Sequence, residues 1–94
     1  MPKRSTPYRP MRLPDKLRAI RTRLNLSQSQ MAKRLDFKGS HGRISEFEHG
    51  SKLPNLLVLL RYSQIVKLHM ETLVDDRVSI AKFREALHKQ KGLR

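Results

Sequence analysis

The stretch LSQSQMAKRLDFKGSHGRISEFEHG, residues 26–50, decides the fold because it reads as two short helices joined by a polar turn. Ser27 is followed by Gln30 at the spacing of a capping box, in which each side chain satisfies a free backbone N–H of the first helical turn. The first of the two helices is therefore expected to start at about Gln28. Its apolar residues recur at helical period, and it is expected to end near Asp36.

The second helix follows a turn rich in helix breakers at residues 38–42. Ile44 and Phe47 then recur at i, i+3, and Gly50 supplies the left-handed stop that ends many helices. These signals predict a helix over residues 41–49.

The outward face of this second helix is polar. With its apolar positions turned inward, Arg43, Glu46 and His49 face outward, and the N-terminal end carries Ser40 and His41. Two helices this short cannot bury a core alone, so the pair must sit on a scaffold and offer one face for use. Side chains of this kind can read base edges in DNA.

This stretch resembles the helix-turn-helix of the phage-repressor-like, or Xre-type, DNA-binding family, and the resemblance extends over residues 13–75. Six residues separate Phe37 from Ile44, so the turn is longer than is usual in that family. The matching residues are Leu26-Ser27-Gln28, Met31-Ala32, Leu35, Ile44-Ser45, Phe47-Glu48-His49-Gly50 and Pro54-Asn55.

The resemblance implies an all-α fold with a compact five-helix repressor-like domain at residues 13–76. Residues 1–12 contain three prolines, four basic residues and no acid, and are expected to form a basic flexible arm. Such an arm either contacts DNA phosphates and the minor groove or stays a solvated terminus. Residues 77–94 are expected to form a C-terminal amphipathic helix with a frayed tail.

A further helix, which precedes residues 26–50, is expected to begin at about Pro14, a position where proline is tolerated. Its inner face is predicted to hold Leu17, Ile20 and Leu24, and its outer face Lys16, Arg18 and Arg23. The resemblance implies that Arg21 of this helix pairs with Glu48. The alternative is that both are ordinary solvated charges.

Asn55 is expected to cap a fourth helix that runs to about Lys67. By resemblance, the core-facing positions of this helix are those of Leu56, Leu59, Leu60, Ser63 and Val66. The remaining apolar residues, Leu57, Val58 and Ile65, are then surplus. An exposed apolar row of this kind often marks a partner interface, here a dimer interface, unless the C-terminal tail covers it.

Two short helices are expected after the fourth. One spans Met70 to Val74 and ends in Asp75-Asp76. Ser79 can cap the other, in which Ile80, Phe83, Ala86 and Leu87 share an apolar face. A helix this short must dock on its own domain or on a partner.

Composition narrows the function. The 94 residues leave room for one small domain, and the net charge of +13, from 21 Lys and Arg against 8 Asp and Glu, indicates a polyanionic partner. Cysteine is absent, and no apolar run reaches the length of a signal peptide or a membrane span, so we expect a cytoplasmic protein that does not act at a membrane. The four histidines are scattered. We therefore expect no metal, no cofactor and no enzymatic activity.

The leading interpretation is a sequence-specific double-stranded DNA-binding transcriptional regulator, a homodimer on DNA, that inserts helix 41–49 into the major groove. An antitoxin-like module, whose DNA binding is autoregulatory and whose C-terminal helix binds a protein partner, is the alternative. RNA binding is less favoured because no aromatic stacking platform is evident. Base contacts are expected from Ser40, His41, Arg43 and Glu46, and phosphate contacts from Arg4, Ser27, Gln28, His49 and Lys52.

Overall fold

The computed structural model describes residues 10–35 and 41–90, including only the backbone of His41. Over these residues the chain is all-helical, as predicted, and each helix begins within one residue of its expected start. The helices are α1 (Leu13–Leu24), α2 (Gln28–Arg34), α3 (His41–His49), α4 (Leu56–Val66), α5 (Met70–Val74) and α6 (Ile80–Lys89). The expected arm at residues 1–9 and the last four residues of the tail lie outside the described residues.

The helix starts follow local capping chemistry. The Ser27 hydroxyl accepts the backbone N–H of Gln30, and the Gln30 side chain accepts the N–H of Ser27, which completes the predicted capping box. The side chains of Asn55 and Ser79 cap α4 and α6 by accepting the backbone N–H groups of Val58 and Lys82. Each such cap is worth about 1 kcal/mol, so the sequence itself fixes where these helices begin.

The glycine after α3 is required by both backbone geometry and packing. Gly50 has φ of +82°, in the left-handed region that residues with a Cβ rarely adopt. A Cβ added there would also lie 3.2 Å from Cγ of Pro14. The close approach of Gly50 to the start of α1 helps to set the position of α3 on the scaffold.

α1 is the central helix and contacts α3, α4, α5 and α6. One continuous core surrounds it, with members from every helix. The core residues are Leu13, Leu17, Ile20, Leu24, Met31, Ala32, Leu35, Ile44, Phe47, Val58, Leu59, Tyr62, Val66, Leu73, Phe83 and Leu87.

The prediction that Lys16 faces outward is wrong, since its side chain is fully buried. Its Nζ donates hydrogen bonds to the carbonyl oxygens of Thr72 (2.9 Å) and Asp75 (3.0 Å) at the end of α5, and lies 5.7 Å from the centre of the Phe83 ring. A cation is favoured at the carbonyl end of a helix and over an aromatic face. Burial lowers the pKa of Lys16, and these contacts compensate for the lost hydration.

The acidic pair after α5 also has a structural role. The Asp76 carboxylate accepts the backbone N–H groups of Met11 (2.9 Å) and Arg12 (3.0 Å), just ahead of α1. These two hydrogen bonds lower the pKa of Asp76. Arg12 Nε in turn donates to the Asp76 carbonyl at 2.8 Å. The Asp76 side chain therefore supplies the cap that α1 lacks from its own residue Arg12.

The apolar faces of α4 also differ from expectation. Val58, assigned to the surplus outward row, is buried in the core, and Ile65 packs against that core. Leu56 and Leu60, assigned to the core, are 70% and 38% exposed. The reason is Tyr62, which is fully buried and turns its side of the helix inward. The buried stripe of α4 consists of Val58, Leu59, Tyr62, Ser63 and Val66.

α6 docks on its own domain. Phe83 and Leu87, two of the residues on its predicted apolar face, are buried in the common core beside α1. The sequence left two possibilities for this helix, docking on its own domain or docking on a partner. Its main apolar face is occupied in cis.

Candidate nucleic-acid interface

α2 and α3 pack against each other, and α3 also packs against α1. The inner side of this pair consists of Met31, Ala32 and Leu35 from the α2 segment and Ile44 and Phe47 from α3, all buried. Because five apolar side chains hold the pair against the scaffold, the opposite side of α3 has a fixed orientation. The packing of α3 therefore holds the backbone of any functional residue on that surface in a defined position.

A bidentate ion pair ties α3 to α1, as the resemblance implied. Arg21 Nε donates to Glu48 Oε2 at 2.7 Å, and Nη2 donates to Oε1 at 2.9 Å. The Glu48 side chain is 0% exposed and that of Arg21 is 20% exposed. Hydrogen bonding to Glu48 raises the pKa of Arg21, so this guanidinium is charged at every accessible pH.

The same ion pair is linked to two further elements. Arg21 Nη1 donates to the Leu26 carbonyl at 3.1 Å, just before α2, and Gln28 Nε2 lies 3.4 Å from Glu48 Oε1. The α1–α2 junction, the start of α2 and the end of α3 therefore share one polar network. Tyr62 is buried nearby, and burial together with the Glu48 charge raises the pKa of its hydroxyl.

Three of the polar residues predicted on α3 lie on its accessible side. Arg43 and His49 are exposed and Glu46 is partly exposed. Arg43 Nε lies 3.4 Å from Glu46 Oε1, one helical turn along, so the two charges form a surface pair. Arg43 presents a guanidinium fork and Glu46 a carboxylate, the donor and acceptor groups suited to guanine and cytosine edges respectively.

His49 has a defined ring orientation. Its Nδ1 lies 2.8 Å from the Ser45 carbonyl oxygen, which can only accept, so Nδ1 carries a proton in this arrangement. In the neutral ring Nε2 is then an acceptor.

The predicted phosphate contacts flank α3. Lys52 is exposed in the loop after α3, where the backbone N–H groups of Ser51 (3.0 Å) and Lys52 (3.4 Å) reach the Glu46 carbonyl. Gln28 is partly buried at the start of α2, and Ser27 is exposed with its hydroxyl engaged in the cap. Arg4, Ser40 and the side chain of His41 lie outside the described residues, so their predicted contacts stay predictions.

One residue that supports this surface was missed by the sequence analysis. Arg61 of α4 donates from Nη1 to the Leu35 carbonyl at 2.7 Å, at the end of α2. Arg61 follows the apolar residues 56–60, and nothing in the neighbouring sequence indicates that it contacts Leu35. The contact ties α4 to Leu35, the residue that follows the last turn of α2.

The comparison with known families decides the classification. A helix-turn-helix family model, of the Xre-like and phage-repressor-like type, matches residues 17–73, more than half of the chain. The chain belongs to this helix-turn-helix family. It is thus a DNA-binding regulator of the helix-turn-helix class, with α2 and α3 as the helix-turn-helix and α1, α4 and α5 as the scaffold. No match was found among curated proteins or among solved structures.

The described part of the chain does not meet the requirements of a metal site or of a membrane-spanning helix. Among residues 10–35 and 41–90, no three His, Asp or Glu side chains come close enough together to hold a metal ion. None of the helices in those ranges has both the length and the apolar character needed to cross a membrane.

Proposed function

We propose that this protein is a sequence-specific double-stranded DNA-binding transcriptional regulator that inserts α3 into the major groove. The observation that supports this proposal most directly is that α3 is buried on one side and accessible on the other. Ile44, Phe47 and Glu48 anchor it to the scaffold, while Arg43 and Glu46 remain accessible. A helix fixed on one side and polar on the other is suited to present side chains to base edges.

In this proposal Arg43 donates two hydrogen bonds to a guanine, and Glu46 accepts from a cytosine or rejects other bases by repulsion. Their mutual contact of 3.4 Å limits the orientations of both side chains before DNA is bound. Ser40 and His41, at the N-terminal end of α3, are proposed as further base contacts. The proposed phosphate contacts are Arg4, Ser27, Gln28, His49 and Lys52.

The net charge of +13 favours the same partner through long-range attraction. The antitoxin-like alternative relied on a free apolar face of α6. Phe83 and Leu87 of that face are buried in the core of this chain, so the fold offers no specific observation in favour of that alternative.

Selection of bound duplexes from a random pool tests the proposed function. We expect a palindromic consensus, because a two-fold symmetric dimer places one α3 in each of two half-sites about 34 Å apart. Recovery of random sequences would contradict specific binding, and a single unpaired half-site would contradict the dimer.

Loss of a base contact and loss of a phosphate contact should have different effects on DNA binding. Arg43→Ala should lower the affinity for the selected site by about 1–3 kcal/mol and relax the preference at particular base pairs, because only base-edge contacts carry sequence information. Lys52→Ala should weaken binding to all sequences and reduce the salt slope by about 1, because it removes one phosphate contact. Affinities for all single-base variants of the site, measured over a salt series, separate the two defects.

Lys67→Ala is a matched control for Lys52, since both are exposed lysines in connections beside α4 but only Lys52 adjoins the end of α3. An Arg43→Ala protein that keeps the wild-type ranking of single-base variants would show that Arg43 does not read bases.

We further propose that the dimer forms through the exposed leucine patch, defined as Leu53, Leu56, Leu57 and Leu60. These side chains are 46%, 70%, 55% and 38% exposed and lie on and just before the first half of α4. This set replaces the expected row of Leu57, Val58 and Ile65, because Val58 belongs to the core. Leu56, Leu57 and Leu60 share a helical face at i, i+1 and i+4, and an exposed apolar group of this kind often marks an interface.

Replacing Leu56 and Leu57 with Gln should abolish cooperative occupation of a full palindromic site and leave half-site affinity within about twofold, because these side chains contribute little to the monomer core. Mobility shifts on full-site and half-site duplexes measure both quantities. Ala81→Gln, at an exposed position of α6, which packs on α1, is the control. Retained cooperative binding by the double variant would place the interface elsewhere.

A further inference from the structure

A cleft of about 490 Å³ lies between α1 and α6, outside the helix-turn-helix. Its apolar lining comes from Ala19, Ile80 and Leu87, and its cationic lining from Arg18, Arg23 and Arg84. Small-molecule sites usually have volumes of about 300–1,000 Å³ and combine an apolar surface with a few polar groups. The cleft has both properties.

The charges of the cleft are strongly unbalanced. His88 and Thr22 add two further polar groups, and Asp15 is the one acidic side chain among the described residues that line the cleft. Within the described residues, none of Arg18, Arg23 and Arg84 forms an ion pair. Three guanidinium groups thus face one carboxylate around an apolar surface. Guanidinium groups bind carboxylates through paired, charge-assisted hydrogen bonds.

One of these guanidinium groups carries an unsatisfied donor. Nε of Arg23 is buried and has no hydrogen-bond partner within the described residues. A buried N–H without an acceptor is unfavourable, and most such groups in proteins have a partner. Because this atom has no accessible surface, an acceptor in the cleft would reach it only after a shift of the Arg23 side chain.

The cleft and the helix-turn-helix use different sides of α1. Leu17, Arg21 and Leu24 form the side that contains the ion pair to α3, whereas Ala19, Thr22 and Arg23 line the cleft. A molecule in the cleft therefore would not occupy the proposed DNA-reading surface. α1 nevertheless contacts both α3 and α6, so it connects the two regions.

We propose that the α1–α6 cleft binds a small amphipathic carboxylate, with its apolar body on Ala19, Ile80 and Leu87 and its carboxylate between the arginines. The apolar lining distinguishes this ligand from an inorganic anion, which would gain nothing from it. The arginines distinguish it from a neutral apolar molecule, which would leave them unpaired.

Calorimetric titration of the full chain, free of DNA, with octanoate at pH 7 and 0.15 M salt tests the proposal. This ionic strength suppresses nonspecific attraction between exposed charges. We expect saturable binding at one site, with NMR shift changes concentrated at Ala19, Thr22 and Ile80. Octanamide, which has the same apolar chain without the charge, should bind at least about tenfold more weakly, because it loses the charge-assisted hydrogen bonds.

Two matched double variants test the position of the carboxylate. Arg18→Gln with Arg84→Gln should raise the octanoate Kd at least about tenfold, since each removes a guanidinium from the cleft. Lys82→Gln with Lys89→Gln removes the same total charge from exposed positions of α6 that do not line the cleft, and should change the Kd less than about twofold. Circular dichroism melting checks that both variants fold.

Three results would overturn the proposal. They are the absence of saturable octanoate binding, equal affinity for octanoate and octanamide, and an equal loss of affinity in the two double variants. The last result would mean that the overall positive charge, and not the cleft, attracts the anion. None of these results depends on DNA binding, so the cleft and the proposed regulatory function succeed or fail separately.

Discussion

Arg21→Met is expected to lower the free energy of unfolding by about 3–5 kcal/mol, because it leaves a buried carboxylate without its counter-ion. The Glu48 side chain is 0% exposed, and apart from Arg21 its nearest side-chain donor is Gln28 Nε2 at 3.4 Å. The variant would also lose the hydrogen bond from Arg21 to the Leu26 carbonyl. Urea unfolding of the wild type and the variant measures the difference.

The other two variants of a double-mutant cycle on Arg21 and Glu48 should lose less stability than Arg21→Met. Glu48→Leu leaves Arg21, which is 20% exposed and can regain hydration, so its loss should be smaller. The double variant should be more stable than Arg21→Met alone, because it removes the buried charge as well. We expect a coupling energy of about 2–3 kcal/mol between the two sites.

The surface pair of Arg43 and Glu46 is the matched control, since it is also an Arg–Glu pair but has 49% and 44% exposed side chains. Its coupling energy, from the cycle of Arg43→Ala and Glu46→Ala, should be below about 1 kcal/mol. Equal coupling in the two cycles, or additive losses at Arg21 and Glu48, would contradict a special role for the buried pair.

The sequence predicts the helix starts well because their signals are local. Ser27 with Gln30, Asn55 and Ser79 each act on backbone groups within three residues of themselves, so their effect needs no knowledge of the tertiary structure. The polar side of α3 is predicted for the same reason. Once Ile44 and Phe47 turn inward, helical geometry leaves Arg43 and Glu46 on the outside.

The errors concern side chains whose surroundings come from distant parts of the chain. Lys16 is buried because the end of α5, more than fifty residues later, places two carbonyl oxygens beside its ammonium group. No local pattern encodes that contact. The inward stripe of α4 was predicted from the family resemblance, which did not include Tyr62. If Tyr62 is counted as a core residue, it predicts that Val58 is buried too, because residues four apart lie on the same side of a helix.

The candidate site was predictable only in part. The pairing of Arg21 with Glu48 came from the family resemblance, because nothing in either local sequence joins residues 27 positions apart. The α1–α6 cleft had no sequence signal, since its arginines lie on two helices and resemble ordinary solvated charges until the helices are packed. Residues 36–40, which include part of the predicted turn, lie outside the described residues, so the role of Ser40 stays a prediction.

The second large effect concerns α6. Phe83→Ala is expected to lower the free energy of unfolding by about 3–5 kcal/mol, because the ring is fully buried and its removal leaves a cavity beside the buried ammonium of Lys16. Thermal and urea unfolding measure the loss, with Glu85→Ala, an exposed site on the same helix, expected to change stability by less than about 0.5 kcal/mol.

Truncation after residue 78 provides the stronger form of this test, because it removes Phe83 and Leu87 together and exposes Lys16. Domains of this size have a stability of about 5–15 kcal/mol, so the loss of two core side chains should leave the shortened chain largely unfolded at 37 °C. We therefore propose that the folded unit extends through α6 and does not end at residue 76. A truncated chain that melts cooperatively at the wild-type temperature would show instead that α6 is an appendage, and its apolar face would then be free for a partner.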